Sequence, residues 1–180
     1  MQGRFIGEWG KKDPYNSERR RNADNTCRND YNCAGFALRT FSWYCPLPQS
    51  TYDRFEELFE EGFDFEAIEN IMTNEMVDTM LSDFSNELRV VEYGQPIKSN
   101  EELIAFRFGL NYSPDFDFDF MGPWDCDVDF HYQVLRDGRW QEKNGDGEIH
   151  DCDEPDPNIA WSSGWLVYGG PLIFLARKVS

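Results

Sequence analysis

The sequence has little imidazole, little positive charge and no paired cysteines. Its 180 residues include two histidines and 17 lysines plus arginines, against 34 aspartates plus glutamates. The formal charge of -17 repels nucleic-acid phosphates and anionic membrane surfaces, so we expect neither as a direct partner. The five cysteines are an odd number without Cys-x-x-Cys spacing, which argues against a full disulfide framework or a zinc ribbon and leaves at least one thiol free.

Long apolar runs are also missing. No stretch of about 18 apolar residues could span a bilayer, and Met1 to Asp13 has neither the basic start nor the apolar run of a secretory signal. We therefore expect a cytoplasmic protein without a membrane segment. Nothing in the sequence calls for a cofactor.

The material for a packed core is present, because hydrophobic residues make up 40% of the chain and aromatic residues 16%. This length fits one domain, 1–180. Residues 1–30 are polar and mixed in charge, and we interpret them as a surface arm packed by Phe5 and Trp9.

Helical spacing dominates the first half of the chain. It predicts a mostly buried helix over Cys33–Tyr44, with Asn32 as its N-cap and the following prolines as its end. From Tyr52 to Leu88 it predicts two or more helices, interrupted near Gly62, with a methionine stripe that belongs to the core.

Strand patterns dominate the second half. We expect strands over Leu103–Phe108 and Val128–Leu135, and at least one more within Trp165–Val179. A strict alternation of aspartate and phenylalanine occupies Asp115–Phe120. Helices followed by strands indicate an α+β domain with an antiparallel sheet.

Cys33 is a candidate nucleophile because it falls in the first turn of its predicted helix. Unpaired amides and the helix dipole there stabilise a thiolate, so we expect its pKa to lie below the free value of about 8.5. The same amides can donate to an oxyanion. The alternative to a nucleophile is a cysteine that only packs in the core.

His131 lies in a predicted strand that ends in an Asp137-Gly138 hairpin turn. That turn pairs Leu135 with Trp140 and places His131 opposite Asn144. Glu142 and Asn144 then share the face of His131, one diagonal and one opposite. Either could orient its second ring nitrogen and complete a Cys, His, polar triad; a structural histidine is the alternative.

Two segments resemble one family. Residues 31–38, Tyr-Asn-Cys-Ala-Gly-Phe-Ala-Leu, resemble the Asn-Cys-x-x-Tyr-Ala-Leu block around the nucleophile of papain-like hydrolases related to NlpC-type cell-wall peptidases, a group that includes many bacterial and phage proteins. Residues 129–145 are similar to its second block, Asp-Tyr-His-x-Tyr-Arg, a turn, then Trp-Ser-His-Lys-x-Gly. Glu142 stands at the polar position of that last run.

The resemblance implies a papain-like fold and a cysteine peptidase or amidase. The mechanism that the resemblance implies has His131 take the thiol proton while Cys33 attacks a carbonyl. Glu142 or Asn144 would be the third member of the catalytic triad, and Asn32 or Tyr31 would add a donor to the oxyanion site. The substrate is a peptide or a peptidoglycan-like chain; protein isopeptides and small amides stay open, as does the oligomeric state.

Two other classes compete with catalysis. Glu142, Asn144, Asp146, Glu148 and Asp153 occupy positions of a calcium-loop pattern, although no helix clearly precedes it. The acidic stretch Asp115–Asp129 and the overall charge also fit a non-catalytic protein that mimics nucleic acid or inhibits a basic partner.

Overall fold

The computed structural model describes residues 4–5, 31–40, 43–111, 127–144, 149–163 and 166–179. Its helices are α1 (Cys33–Ala37), α2 (Thr51–Glu60) and α3 (Phe65–Asp83). Its strands are β1 (Arg4–Phe5), β2 (Tyr44–Cys45), β3 (Leu88–Val91), β4 (Glu101–Asn111), β5 (Asp127–Arg136), β6 (Arg139–Lys143), β7 (Ile149–Asp151), β8 (Trp161–Ser163), β9 (Leu166–Tyr168) and β10 (Ile173–Lys178).

Six of these strands form one sheet in the order β3-β10-β4-β5-β6-β7, and every neighbouring pair is antiparallel. The strands predicted around Leu103–Phe108, Val128–Leu135 and the last segment are β4, β5 and β10. The pairs β1-β2 and β8-β9 are separate two-stranded sheets. The predicted α+β class with an antiparallel sheet is confirmed.

The long helices follow the predicted spacing. Ser50 and Asp64 cap α2 and α3 by accepting hydrogen bonds from the amides three residues on. Between the helices, Gly62 adopts a positive φ of 91°, which favours glycine and ends α2 as expected. The methionine stripe on α3 is fully buried at Met72, Met76 and Met80, which confirms its core role.

Helix α1 is shorter than predicted. The expected helix over Cys33–Tyr44 is wrong beyond Ala37, because Arg39 takes a left-handed backbone with φ 55°, which an α-helix cannot continue. The chain then turns into β2 at Tyr44, where the prediction placed the last helical turn.

A buried charge cluster fastens the C-terminal end of α1 to the sheet. The Arg136 guanidinium donates 3.3 Å to the Phe36 carbonyl and forms two 2.9 Å bonds to Glu102. Glu102 also pairs with Arg39. Burial opposes the charge on Glu102, but the two arginines outweigh it and its pKa falls below its usual range. This cluster therefore fixes the C-terminal end of the short helix on the sheet.

The two faces of the six-stranded sheet bury different sets of side chains. The helices cover the face that carries Phe106, Phe108, Phe130 and Tyr132, which form the main core with residues of α1, α2 and α3. The opposite face has a smaller apolar cluster around Trp140 and polar residues beside it. Since side chains alternate along a strand, the residues next to the core aromatics of β5 point to this second face.

Two of the sequence predictions fall wholly or partly outside the described residues. Arg4 and Phe5 pair with Cys45 and Tyr44, but the rest of the predicted arm lies outside the described residues, as does the Asp115–Phe120 alternation. Cys33, Cys45 and Cys152 are free thiols, as the cysteine count predicted. None of the described helices is long and apolar enough to cross a membrane.

Candidate active site

The hairpin that carries the predicted site has the predicted register. Asp137 and Gly138 both have positive φ values, 53° and 76°, as a two-residue turn between twisted strands requires. Leu135 pairs with Trp140 and Gln133 with Glu142. The ladder ends there and β6 ends at Lys143, so the expected pairing of His131 with Asn144 does not form.

His131 is bound by the residue diagonal to it. Its Nε2 lies 2.9 Å from Glu142 Oε2, and the side chain of Gln133 donates to the same oxygen at 3.1 Å. Burial alone would raise the pKa of Glu142, but the hydrogen bond from His131, followed by that from Gln133, holds it below its usual range. Glu142 is thus a carboxylate at neutral pH.

The partner fixes the tautomer of the imidazole. A carboxylate only accepts hydrogen bonds, so Nε2 carries a proton and the lone pair of the neutral ring lies on Nδ1. Nδ1 has no hydrogen-bond partner among the described residues. His131 is itself only 4% exposed, so its ring is held in one orientation with a basic nitrogen available.

Asn144, the other residue predicted as third member of the catalytic triad, lies beside His150 and not beside His131. Its amide lies 3.3 Å from Nε2 of His150, and within the described part of the chain Glu142 is the only residue hydrogen-bonded to the His131 ring. His150 Nε2 also lies 3.5 Å from Glu142 Oε1. The diagonal residue therefore orients the imidazole, because β6 leaves the ladder before Asn144.

Cys33 reaches β5 at the residues that flank His131. Asn32 caps α1 as predicted, with its Oδ1 accepting from the Gly35 amide at 3.0 Å. The Cys33 Sγ lies 3.9 Å from the Phe130 carbonyl, and the backbone of Tyr132 also hydrogen-bonds the sulfur. In the described residues no hydrogen bond joins the sulfur to the His131 ring.

The expected low pKa of the Cys33 thiol is wrong. Cys33 is 5% exposed, and burial, followed by the negative charge of Asp129, raises its pKa to about 12. Backbone hydrogen bonds and the charge of Lys143 act in the opposite direction but are weaker. Because α1 has five residues and its start is buried, desolvation outweighs the helix dipole. The thiol is neutral at physiological pH.

The two residues proposed for the oxyanion site directly precede Cys33, and the side chains of both already contact other residues. The Asn32 amide nitrogen donates 2.8 Å to the Tyr44 carbonyl, which ties the start of α1 to β2. Tyr31 is fully buried, with the ammonium of Lys143 5.3 Å from the centre of its ring. Their role toward an oxyanion stays a prediction.

Aromatic residues that the sequence reasoning missed enclose His131. The Tyr168 ring stacks on the imidazole at 5.4 Å, and Trp161 meets it edge-on at 5.9 Å. The Tyr168 hydroxyl donates 3.1 Å to Asp129. These residues are distant in sequence and belong to the β8-β9 pair, for which no local pattern indicated contact with His131.

Gly109 makes this stacking possible. A Cβ at this position would lie 2.5 Å from the Val167 carbonyl oxygen and 2.6 Å from the Cα of Tyr168. Only a residue without a side chain lets the backbone of β9 come this close to β4. The spacing places the Tyr168 ring directly over the imidazole.

A cavity of about 240 Å³ opens beside this cluster. His131, Gln133, Glu142, Trp161 and Tyr168 line it, together with Ile159 and a rim of carboxylates. Cys33 does not line it. His131 therefore borders this cavity and Cys33 does not, although the two side chains are buried to a similar extent.

The segment that matches the calcium-loop pattern does not have the flanking helices of such a loop. Glu142 lies in β6 and pairs with His150 of β7, so strands rather than helices flank the segment. Asp146 and Glu148 lie outside the described residues. Elsewhere, no group of three or more His, Cys, Asp or Glu side chains is placed to hold a metal ion in the described ranges.

Comparison of the chain with protein-family models, with curated proteins and with solved structures finds no match.

Proposed function

We propose that this chain is a cysteine-dependent hydrolase of the papain-like type that cleaves an amide bond, with Cys33 as nucleophile and His131 as base. The supporting observation is the 2.9 Å bond between Nε2 of His131 and Glu142, which leaves Nδ1 as the basic nitrogen. The sulfur of Cys33 lies against the backbone on either side of that same histidine. The order of these residues is that of the resemblance in residues 31–38 and 129–145.

The reaction has two halves. Nδ1 of His131 takes the Cys33 proton as sulfur attacks the carbonyl carbon, and the imidazolium then gives that proton to the leaving nitrogen as the carbon–nitrogen bond breaks. In the second half His131 takes a proton from water, whose oxygen attacks the thioester. The carbon–sulfur bond breaks, the acid is released and sulfur regains a proton. Glu142 stabilises the imidazolium in both halves.

The raised pKa of Cys33 sets a condition on this mechanism. A thiol with a pKa of about 12 is almost entirely protonated at neutral pH, so no thiolate–imidazolium pair waits in the resting protein. Proton transfer to His131 has to accompany the attack. We infer that substrate binding brings the sulfur and Nδ1 together. The substrate is a peptide or a peptidoglycan-like chain, and the mechanism uses no cofactor.

Trapping with a peptide-like vinyl sulfone tests the proposal, with modified cysteines identified by mass spectrometry. We expect modification of Cys33 in the wild type, none in Cys33→Ala, and a rate at least roughly 100-fold lower in His131→Gln, because a general base typically contributes that much. Glutamine keeps a polar side chain at the buried position, and circular dichroism verifies that each variant is folded.

Cys152 is the matched internal control. Burial, followed by the charge of Glu142, raises its pKa also to about 12, and it is more exposed than Cys33. Pure accessibility would therefore favour Cys152, whereas catalysis favours Cys33. The proposal fails if Cys33 reacts no faster than Cys152, or if His131→Gln leaves the Cys33 rate unchanged.

A second candidate is a non-catalytic acidic interaction protein. The observation that favours it is that the cavity is lined by His131 and by carboxylates but not by Cys33. Such a protein keeps its binding when Cys33 is replaced by alanine and shows no preference for Cys33 in the trapping experiment.

A further inference from the structure

The lining of the cavity beside His131 includes a buried polar atom that has no partner in the described part of the chain. Gln133 is only 7% exposed and lines the cavity, and its buried Oε1 has no hydrogen-bond partner among the described residues. The atom that faces Glu142 must be the amide nitrogen, because a carboxylate cannot donate. The unpartnered atom is thus an acceptor, and a buried acceptor without a donor is costly enough to indicate that a donor binds there.

The charges around the cavity have the sign that a cationic donor needs. Glu142 lies at its base, and Asp153, Glu154 and Asp156 lie along its rim. Arg107 is the nearby positive group. Its guanidinium bonds to the carbonyls of Pro157 and Ile159 and interacts with Asp156. Asp156 is therefore partly neutralised, while Asp153 and Glu154 form no ion pair among the described residues.

The walls suit an organic cation rather than a metal ion. Trp161 and Tyr168 line the cavity, and aromatic faces attract ammonium groups. The Trp161 ring already has one cation, the Arg107 guanidinium, 5.4 Å from its centre. The carboxylates of the described residues do not converge as metal ligands do. A volume of about 240 Å³ fits a short alkyl chain rather than a whole drug-sized ligand.

We propose that this cavity binds an alkylammonium group, which donates to Gln133 Oε1 and lies between the aromatic walls and the acidic rim. Its assignment as a substrate subsite rests on the proposed function, because it places a positively charged group of the substrate beside His131. Binding of the ammonium group itself requires only the cavity and does not involve the thiol.

Binding of n-butylammonium to the full-length Cys33→Ala protein tests this site separately from catalysis. Calorimetry measures affinity, and nuclear magnetic resonance follows the indole signal of Trp161, assigned with Trp161→Phe. We expect saturable binding, at least about tenfold tighter than that of butanol and of butyrate, because one lacks the charge and the other carries the opposite charge. Nα-acetyl-lysinamide and alaninamide then distinguish a side-chain ammonium from an α-ammonium source.

Charge-matched variants locate the site. Replacing Asp153 and Glu154 by their amides should weaken n-butylammonium about tenfold, and Gln133→Leu should weaken it by a similar factor. Glu60→Gln with Glu61→Gln removes the same charge from the exposed end of α2 and should leave affinity unchanged. Equal loss in this control, or equal binding of butyrate, overturns the proposal. Binding in Cys33→Ala without Cys33 trapping in the wild type would retain the site and reject the hydrolase.

Discussion

The even-numbered and odd-numbered residues of β5 build two different regions of the molecule. Phe130, Tyr132 and Val134 pack against the helices in the main apolar core. His131 and Gln133 face the opposite side, where they share one carboxylate and line a cavity. One strand thus provides a rigid wall and a polar site at once.

The difference shows how the polar face keeps its order. The helix face is held by apolar burial, which is non-directional and large. The cavity face is held by a few hydrogen bonds and ring contacts, each of small energy, on a strand that the core has already fixed. We therefore expect substitutions of the aromatic and aliphatic side chains on the helix face to change stability most, and those on the cavity face to change chemistry.

Phe106→Ala should give the largest effect. Phe106 is fully buried on the helix face, 4.9 Å from the Tyr132 ring between centroids. Removing its ring should lower the free energy of unfolding by about 3–5 kcal/mol, measured by urea denaturation. Ser162→Ala on the exposed rim of the cavity is the comparison and should change it by less than about 0.5 kcal/mol. Similar losses in both variants would contradict the division between the faces.

Gly109→Ala should give an intermediate effect that is confined to the cavity face. The new methyl group would clash with the backbone of β9, which cannot move aside as a side chain can. We expect a loss of about 1–3 kcal/mol in the free energy of unfolding and displacement of Tyr168 from His131, seen in the histidine ring resonances. Gly169→Ala is the matched control, since its nearest neighbour would be 3.9 Å away, and it should be close to neutral.

Glu142→Gln should give the smallest change in stability, and one that depends on pH. The pKa of Glu142 is lowered in the folded protein, so its carboxylate stabilises the fold above its unfolded pKa of about 4.3, and this contribution is lost as the pH falls through the folded value. The stability difference between wild type and variant should therefore shrink as the pH falls below about 4.3 toward the lowered folded pKa. Glu60→Gln, on the surface, should show no such trend; a constant difference for Glu142→Gln would show that its charge is not involved.

Much of the fold was predictable because periodicity and turn chemistry are local. The Asp137-Gly138 turn fixed the register that brings Glu142 to His131. The end of α1 was not predictable, since the left-handed Arg39 is held by a distant ion pair with Glu102. The raised pKa of Cys33 comes from its burial and from the charge of Asp129, a residue far along the chain, so it could not be predicted from the place of Cys33 in a helix. The contact of Tyr168 with His131 likewise joins remote segments.

The early end of β6 has a consequence for self-association. Within the described chain, β6 pairs with β5 only from Gln133 onward, which leaves the preceding half of β5 without a strand on that side. Unpaired backbone groups at a strand edge can hydrogen-bond with a strand of another molecule, which leads to aggregation. The start of α1 occupies this gap, with the Cys33 sulfur meeting the Phe130 carbonyl in place of a neighbouring amide. The Cys33 side chain therefore covers part of a strand edge that would otherwise be open to a further strand.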